Sequence, residues 1–136
     1  MRISSKFFFN IFFAATFFAI LFVVGCDDTS LNPIVIPASH VSYSQHIQPV
    51  LNVKCAVTGC HDAANSAGGY NMSDWSGTVT IPFVIPNDPN NSLTVMTVTG
   101  QGGLPIMPPV NASILPMTDT EITGLKTWIK EGAKNN

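Results

Sequence analysis

Two thiols and an imidazole constrain this chain more tightly than any other feature. Cys55, Cys60 and His61 stand at Cys-x4-Cys-His spacing, and only one other cysteine, Cys26, exists. A structural zinc site needs four ligands, and the chain has no second cysteine pair to complete one. Two chemistries remain. The first is a disulfide between Cys55 and Cys60 with His61 merely polar, which an exporting compartment favours. In the second, the two thiols add across the two vinyl groups of a haem and His61, directly after the second thiol, reaches the iron from one face. Tethering of this kind gives the ligand a very high effective concentration, so a small domain can hold haem permanently. The imidazole must then be neutral and bind through one ring nitrogen, with the other finding an acceptor. The usual attachment motif has two intervening residues; here there are four, and spacing alone leaves both chemistries open.

The first 25 residues stand apart from the rest. Arg2 and Lys6 precede a run from Phe7 to Val24 that is apolar except for Asn10 and Thr16, and Gly25-Cys26 follows. A basic start, an apolar core and a small residue before the cut describe a secretory signal. A membrane anchor helix is the alternative, because the run is near the length needed to span a bilayer. The Gly-Cys ending resembles the bacterial lipobox, whose cysteine is acylated and becomes the new N-terminus. This reading makes 1–25 a lipoprotein signal peptide, Cys26 the lipidation site, 26–41 a tether and 42–136 the domain. The protein is then exported and lipid-anchored to a bacterial membrane, on its periplasmic side or at the cell surface. Removing 25 of 136 residues leaves 111, with four cations against eight carboxylates and a formal charge of −4. That balance argues against a nucleic-acid partner, which requires a basic face. A domain of this size buries only about two thirds of its unfolded surface, and a large apolar ligand at its centre would add to the core.

The pattern along the chain predicts few helices and long loops. Ile47, Val50, Leu51 and Lys54 fall at helical spacing, predicting a helix over 44–55 with Ser42 or Ser44 as N-cap and Pro49 in its first turn. Residues 62–71 read as loop and 78–86 as extended chain. Pro86-Asn87-Asp88-Pro89 is a turn, after which Asn90 or Asn91 caps a short helix ending at Val98. Residues 99–117, rich in Gly and Pro, read as loop. Thr118-Asp119-Thr120-Glu121 is a capping box that opens a last helix, with Ile122, Leu125, Trp128 and Ile129 on one apolar face.

A haem held by one histidine takes a second ligand on its opposite face. Leu104-Pro105-Ile106-Met107-Pro108-Pro109 offers a thioether, a soft neutral ligand that favours reduced iron. The prolines restrict the backbone around Met107 and remove competing donors. A lone methionine is ordinarily core packing; the position of Met107, between the short helix and the last one, favours the ligand role. Met72, Met96 and Met117 are rivals, and His40 or His46 would give bis-histidine ligation.

The chain resembles the single-domain c-type cytochromes attached to bacterial membranes, a module of planctomycete and Bacteroidetes type. The matching pieces are Ser42-Tyr43, Ile47-Gln48-Pro49-Val50-Leu51, Cys55 to His61, Gly68 to Met72, Ile85 to Leu93, Met107-Pro108-Pro109, and Thr118-Asp119-Thr120-Glu121-Ile122 through Trp128 to Ala133. Each is short, but their order and spacing together are specific, and they cover about residues 42–134. The resemblance implies a mainly α, cytochrome c-like fold, its first and last helices crossing near the edge of one haem c. It also implies Cys55 and Cys60 as the covalent attachment points, with His61 and Met107 as the axial ligands. The four-residue gap departs from the usual pattern, although some multihaem cytochromes also use it.

A six-coordinate iron has no open site for substrate, so the expected function is electron transfer rather than catalysis. Tyr70, Trp128, Leu93 and Ile122 are candidates for the apolar wall of the haem pocket. The expected partners are other redox proteins, met transiently, and the acidic charge suggests a basic patch on them. A haem domain with an open or switchable distal site, acting in peroxide chemistry or sensing, is one alternative. A cofactor-free, disulfide-closed surface lipoprotein is the other.

Overall fold

The structure, a computed structural model, describes residues 34–136. The expected signal peptide and the lipidated Cys26 lie outside these residues. The described residues hold short helices joined by turns and contain no strand. A single π-helical stretch, Tyr43–Ile47, runs directly into α1, Gln48–Lys54. A 3-10 turn, Ala67–Gly69, and a four-residue helix α2, Trp75–Thr78, follow. Then come α3, Leu93–Val98, and the longest element, α4, Asp119–Lys130. No described helix is long and apolar enough to cross a membrane.

The first helical region begins where its cap permits. The Ser42 side chain accepts from the Gln45 N–H, and Pro49 falls in the opening turn of α1, where its missing N–H costs nothing. The predicted core face holds: Ile47, Val50 and Leu51 are buried. At the other end of the chain the capping box forms completely. Thr118 accepts from the Glu121 N–H while the Glu121 carboxylate accepts from the Thr118 N–H at 2.6 Å. Gly124, Leu125, Trp128 and Ile129 form the buried face of α4. Tyr43 and Trp128 bring the two ends together, with ring centroids 5.3 Å apart. Lys54 joins them again: its ammonium reaches the Pro116 carbonyl at 2.7 Å and the Glu121 carboxylate at 3.1 Å. Burial of side chains such as Leu51, Leu125 and Ile129 contributes about 1.5–3 kcal/mol each.

Three expectations change. Residues 78–86 form turns rather than extended chain, and the preceding α2 was not anticipated. Asp74 nucleates it by accepting from the Gly77 N–H at 2.8 Å and the Ser76 hydroxyl at 2.6 Å. The N-cap of α3 is Ser92, because Asn91 instead folds onto the Asp88 carboxylate. The Ser92 hydroxyl donates to the Asp88 carbonyl and accepts from the Ile85 N–H, closing the turn before the helix.

The third change concerns the tether. Residues from Ile34 onward belong to the compact unit. Ile36 packs on α4 over Gly124, where an added Cβ would stand 2.5 Å from the Ile36 Cγ2. Val41 is buried, and the backbone N–H groups of His40 and Val41 donate to the Glu131 carboxylate at 2.6 and 2.9 Å. An apolar segment ending on two charge-assisted bonds has left the linker regime, so the packed domain starts ahead of residue 42.

Candidate cofactor site

The Cys-x4-Cys-His segment folds as a compact turn after α1. The Cys55 N–H extends the helix by donating to the Leu51 carbonyl, and the His61 N–H returns to the Cys55 carbonyl at 3.1 Å. Within the gap, the Cys60 N–H donates to the Val57 carbonyl at 3.0 Å, and Gly59 takes a positive φ of 86°. The four intervening residues are thereby absorbed in a hydrogen-bonded turn. Cys55 and Cys60 are both free thiols. Cys55 is buried, and that burial pushes its thiol up to about 12 even with Lys54 nearby. Cys60 is only partly buried.

His61 is fixed at its backbone and at its ring. Its carbonyl accepts from the Met72 N–H at 2.8 Å, and its Nδ1 lies 3.0 Å from the Tyr70 carbonyl. A carbonyl only accepts, so Nδ1 carries the proton, and the neutral tautomer compatible with this bond has its lone pair on Nε2. Tyr70 in turn is held from three directions. Its ring stacks on Phe83 at 4.0 Å between centroids, and its edge meets His61 at 5.6 Å. Its hydroxyl, whose pKa burial raises, reaches the Thr78 carbonyl at 2.8 Å and the Thr94 hydroxyl at 3.1 Å.

Two cavities of about 210 and 290 Å³ meet at Cys55, His61, Ala67, Gly68 and Met107, which line both. The first extends over Tyr70, Phe83, Leu93 and Leu104, the second toward Cys60, Pro108 and Ile114. Together they fall within the range of cofactor clefts, roughly 300–1,000 Å³, with the few donor atoms against apolar walls that such clefts favour.

The cleft thus brings together four of the singled-out groups: both thiols, His61 and Met107. Tyr70 and Leu93 line it as expected. Trp128 and Ile122 do not. Trp128 is in the core, its indole N–H donating to the Lys134 carbonyl at 2.9 Å, because the α4 face that carries it packs on Tyr43. Phe83 lines the first cavity instead, from a segment whose pattern reads as extended chain. Among the rival ligands, Met96 and Met117 do not line the cleft, and Met117 is buried in the core cluster. Met72 borders the first cavity from the core. His40 lies beside Glu131, and the His46 Nδ1 accepts from the Ser42 N–H.

The donor set fits a haem. Two unpaired thiols, an imidazole with a free Nε2 and a thioether converge on one apolar cleft, which is what covalent attachment with two axial ligands requires. Among the described residues no group of three or more His, Cys, Asp or Glu side chains could hold a bare metal ion instead.

The described residues form a mainly α domain around this cleft. Residues 58–111 match the family described as Planctomycete cytochrome C, which supports a c-type cytochrome-like domain. The matched stretch holds Cys60, His61 and Met107, while Cys55 precedes it. No curated protein matches the chain, and no solved structure does.

Proposed function

We propose that this protein is a monohaem electron carrier, with Cys55 and Cys60 as thioether attachment points and His61 and Met107 as axial ligands. The convergence of two free thiols, a ring-tethered imidazole and a thioether in one apolar cleft carries the reading. When bound, haem supplies a one-electron ferric–ferrous couple. The chain's own contribution is electrostatic and geometric. The Tyr70 carbonyl favours the Nδ1-protonated tautomer of His61, which leaves Nε2 as the donor, and the bond from the Met107 N–H to the Thr97 carbonyl ties Met107 to the cleft. Tyr70, Phe83, Leu93 and Leu104 exclude water, which raises the energy of the more charged oxidised state. If His61 and Met107 both hold the haem, no position would be left for a substrate, and transient redox partners would exchange electrons with it. Cys26 places the carrier on a bacterial membrane through a lipid, outside the cytoplasm.

A haem stain of a denaturing gel tests attachment on the chain produced in a host with cytochrome-maturation machinery. Stain in the wild type and none in the Cys55→Ser/Cys60→Ser variant is expected. An unstained wild-type band, with a Cys55–Cys60 disulfide found by mass spectrometry, would overturn the reading. A weak far-red band in the oxidised spectrum reports thioether–iron ligation. Its persistence in Met107→Ala would remove Met107 from the ligand role and turn attention to Met72.

A further inference from the structure

One short helix touches both jaws of the cleft. From α3, the Thr97 carbonyl accepts the Met107 N–H at 3.1 Å. One turn earlier, the Thr94 hydroxyl meets the Tyr70 hydroxyl, and the Tyr70 carbonyl holds the His61 Nδ1. Proton counting fixes the direction of this chain. The Thr78 carbonyl only accepts, so the Tyr70 O–H donates to it, and Thr94 must donate to the Tyr70 oxygen. The Thr78 hydroxyl donates to the Asp74 carbonyl, so the Tyr43 O–H donates to Thr78 and joins the same network at the residue whose carbonyl holds Tyr70. Thr94 is 6 % exposed and its contact with Tyr70 is buried, so water competes little for the bond. The helix itself is seated on the strip behind Tyr70: the Leu93 and Thr94 N–H groups donate to the Pro82 and Phe83 carbonyls at 3.1 and 3.0 Å.

We infer that Thr94 is a positioning residue for His61, acting through Tyr70, and that it tunes the redox couple of the cleft; this rests on the haem reading above. The chemistry is one of donor strength. A firm Nδ1–H···O=C bond makes the imidazole a better electron donor through Nε2 and favours oxidised iron. Removing the Thr94 hydroxyl unpins the tyrosine, lets its carbonyl drift, and weakens that bond.

The decisive variants are Thr94→Val, which keeps the shape and loses the hydroxyl, and Thr94→Ser, which keeps the hydroxyl. Glu131→Ala is the control, losing the bonds to the His40 and Val41 N–H groups, neither of which touches Tyr70, Thr78 or Thr94. At a fixed solution potential, Thr94→Val should raise the ferrous-to-ferric ratio about threefold to tenfold, less than the roughly 10–100-fold that loss of a ligand's direct hydrogen-bond partner costs, because Thr94 acts through Tyr70. Thr94→Ser should return it to the wild-type value. Glu131→Ala should lower the melting temperature and leave the ratio alone. A Thr94→Val protein that melts earlier with an unchanged ratio would overturn the inference, as Thr94 would then only pack.

A chain that purifies without haem sinks the function proposed above but still decides this one. The ring nitrogen resonances of His61 then report its tautomer. A single Nδ1-protonated form in the wild type and a mixture in Thr94→Val supports positioning; the same single form in both refutes it.

Discussion

The two jaws of the cleft are held in opposite ways. On the His61 side the chain binds itself. The His61 N–H returns to Cys55, its carbonyl takes the Met72 N–H, its ring meets the Tyr70 carbonyl, and the Ala67 N–H donates to Cys60. Beneath it lies the buried face of α1. On the Met107 side, residues 99–117 hold few bonds of their own, the main tie being Met107 to Thr97. Prolines and three glycines at positive φ, Gly100, Gly102 and Gly103, shape the rest. The lesson is that an imidazole needs its ring oriented and its tautomer chosen, whereas a thioether needs only to be brought within reach.

The contrast breaks first at the two proposed ligands. His61→Ala should abolish the six-coordinate reduced spectrum altogether. Met107→Ala should retain covalent haem and lower the midpoint potential by a substantial part of the roughly 0.8 V that axial ligands command. Spectroelectrochemistry checks both; equal loss of haem from the two variants would erase the distinction between the jaws.

Packing sharpens it next. Leu51→Ala, below the His61 side, should cost about 2–5 kcal/mol in urea unfolding. Ile106→Ala, on the exposed loop, should stay within about 0.5 kcal/mol. Gly102→Ala should fall between them, near 1 kcal/mol or somewhat more, because its φ of +71° suits only glycine and its Cβ would collide with the Met96 Cε.

The smallest effect is in acid and belongs to neither jaw. The His40 N–H and then the Val41 N–H hold the Glu131 carboxyl below its ordinary value of 4.5. A depressed carboxylate stabilises the fold above its unfolded pKa and loses that contribution as pH falls through its folded one. A slight loss of stability below about pH 4.5, absent in Glu131→Gln, is expected in thermal melts across pH.

The parts of this molecule written locally were legible in its sequence. The capping box at Thr118–Glu121, the α1 face of Ile47, Val50 and Leu51, and the Cys55–His61 segment each depend on neighbours a few residues away. What stayed hidden depends on distance along the chain. Phe83 stacks on Tyr70 from a segment that folds as turns, and Trp128, although placed on the right helix face, points at Tyr43 instead of the cleft. Ile36 reads as linker until Gly124 is seen beneath it. Thr94 carries no motif at all; only the fold brings its hydroxyl to Tyr70.

The Met107 loop has one more property. From Thr99 to Met117 it contains no charged residue, and it turns Val110 and Leu115 outward at 91 % and 79 % exposure. The charges against it are the Lys54–Glu121 pair, which meets the loop at the Pro116 carbonyl. A protein docking on Val110 and Leu115 would gain from dry contact rather than from charge pairing, and its encounters there would approach the unsteered pace of roughly 10⁵–10⁶ M⁻¹s⁻¹. For the proposed carrier, exchange at this rim would be governed by how long such a contact lasts.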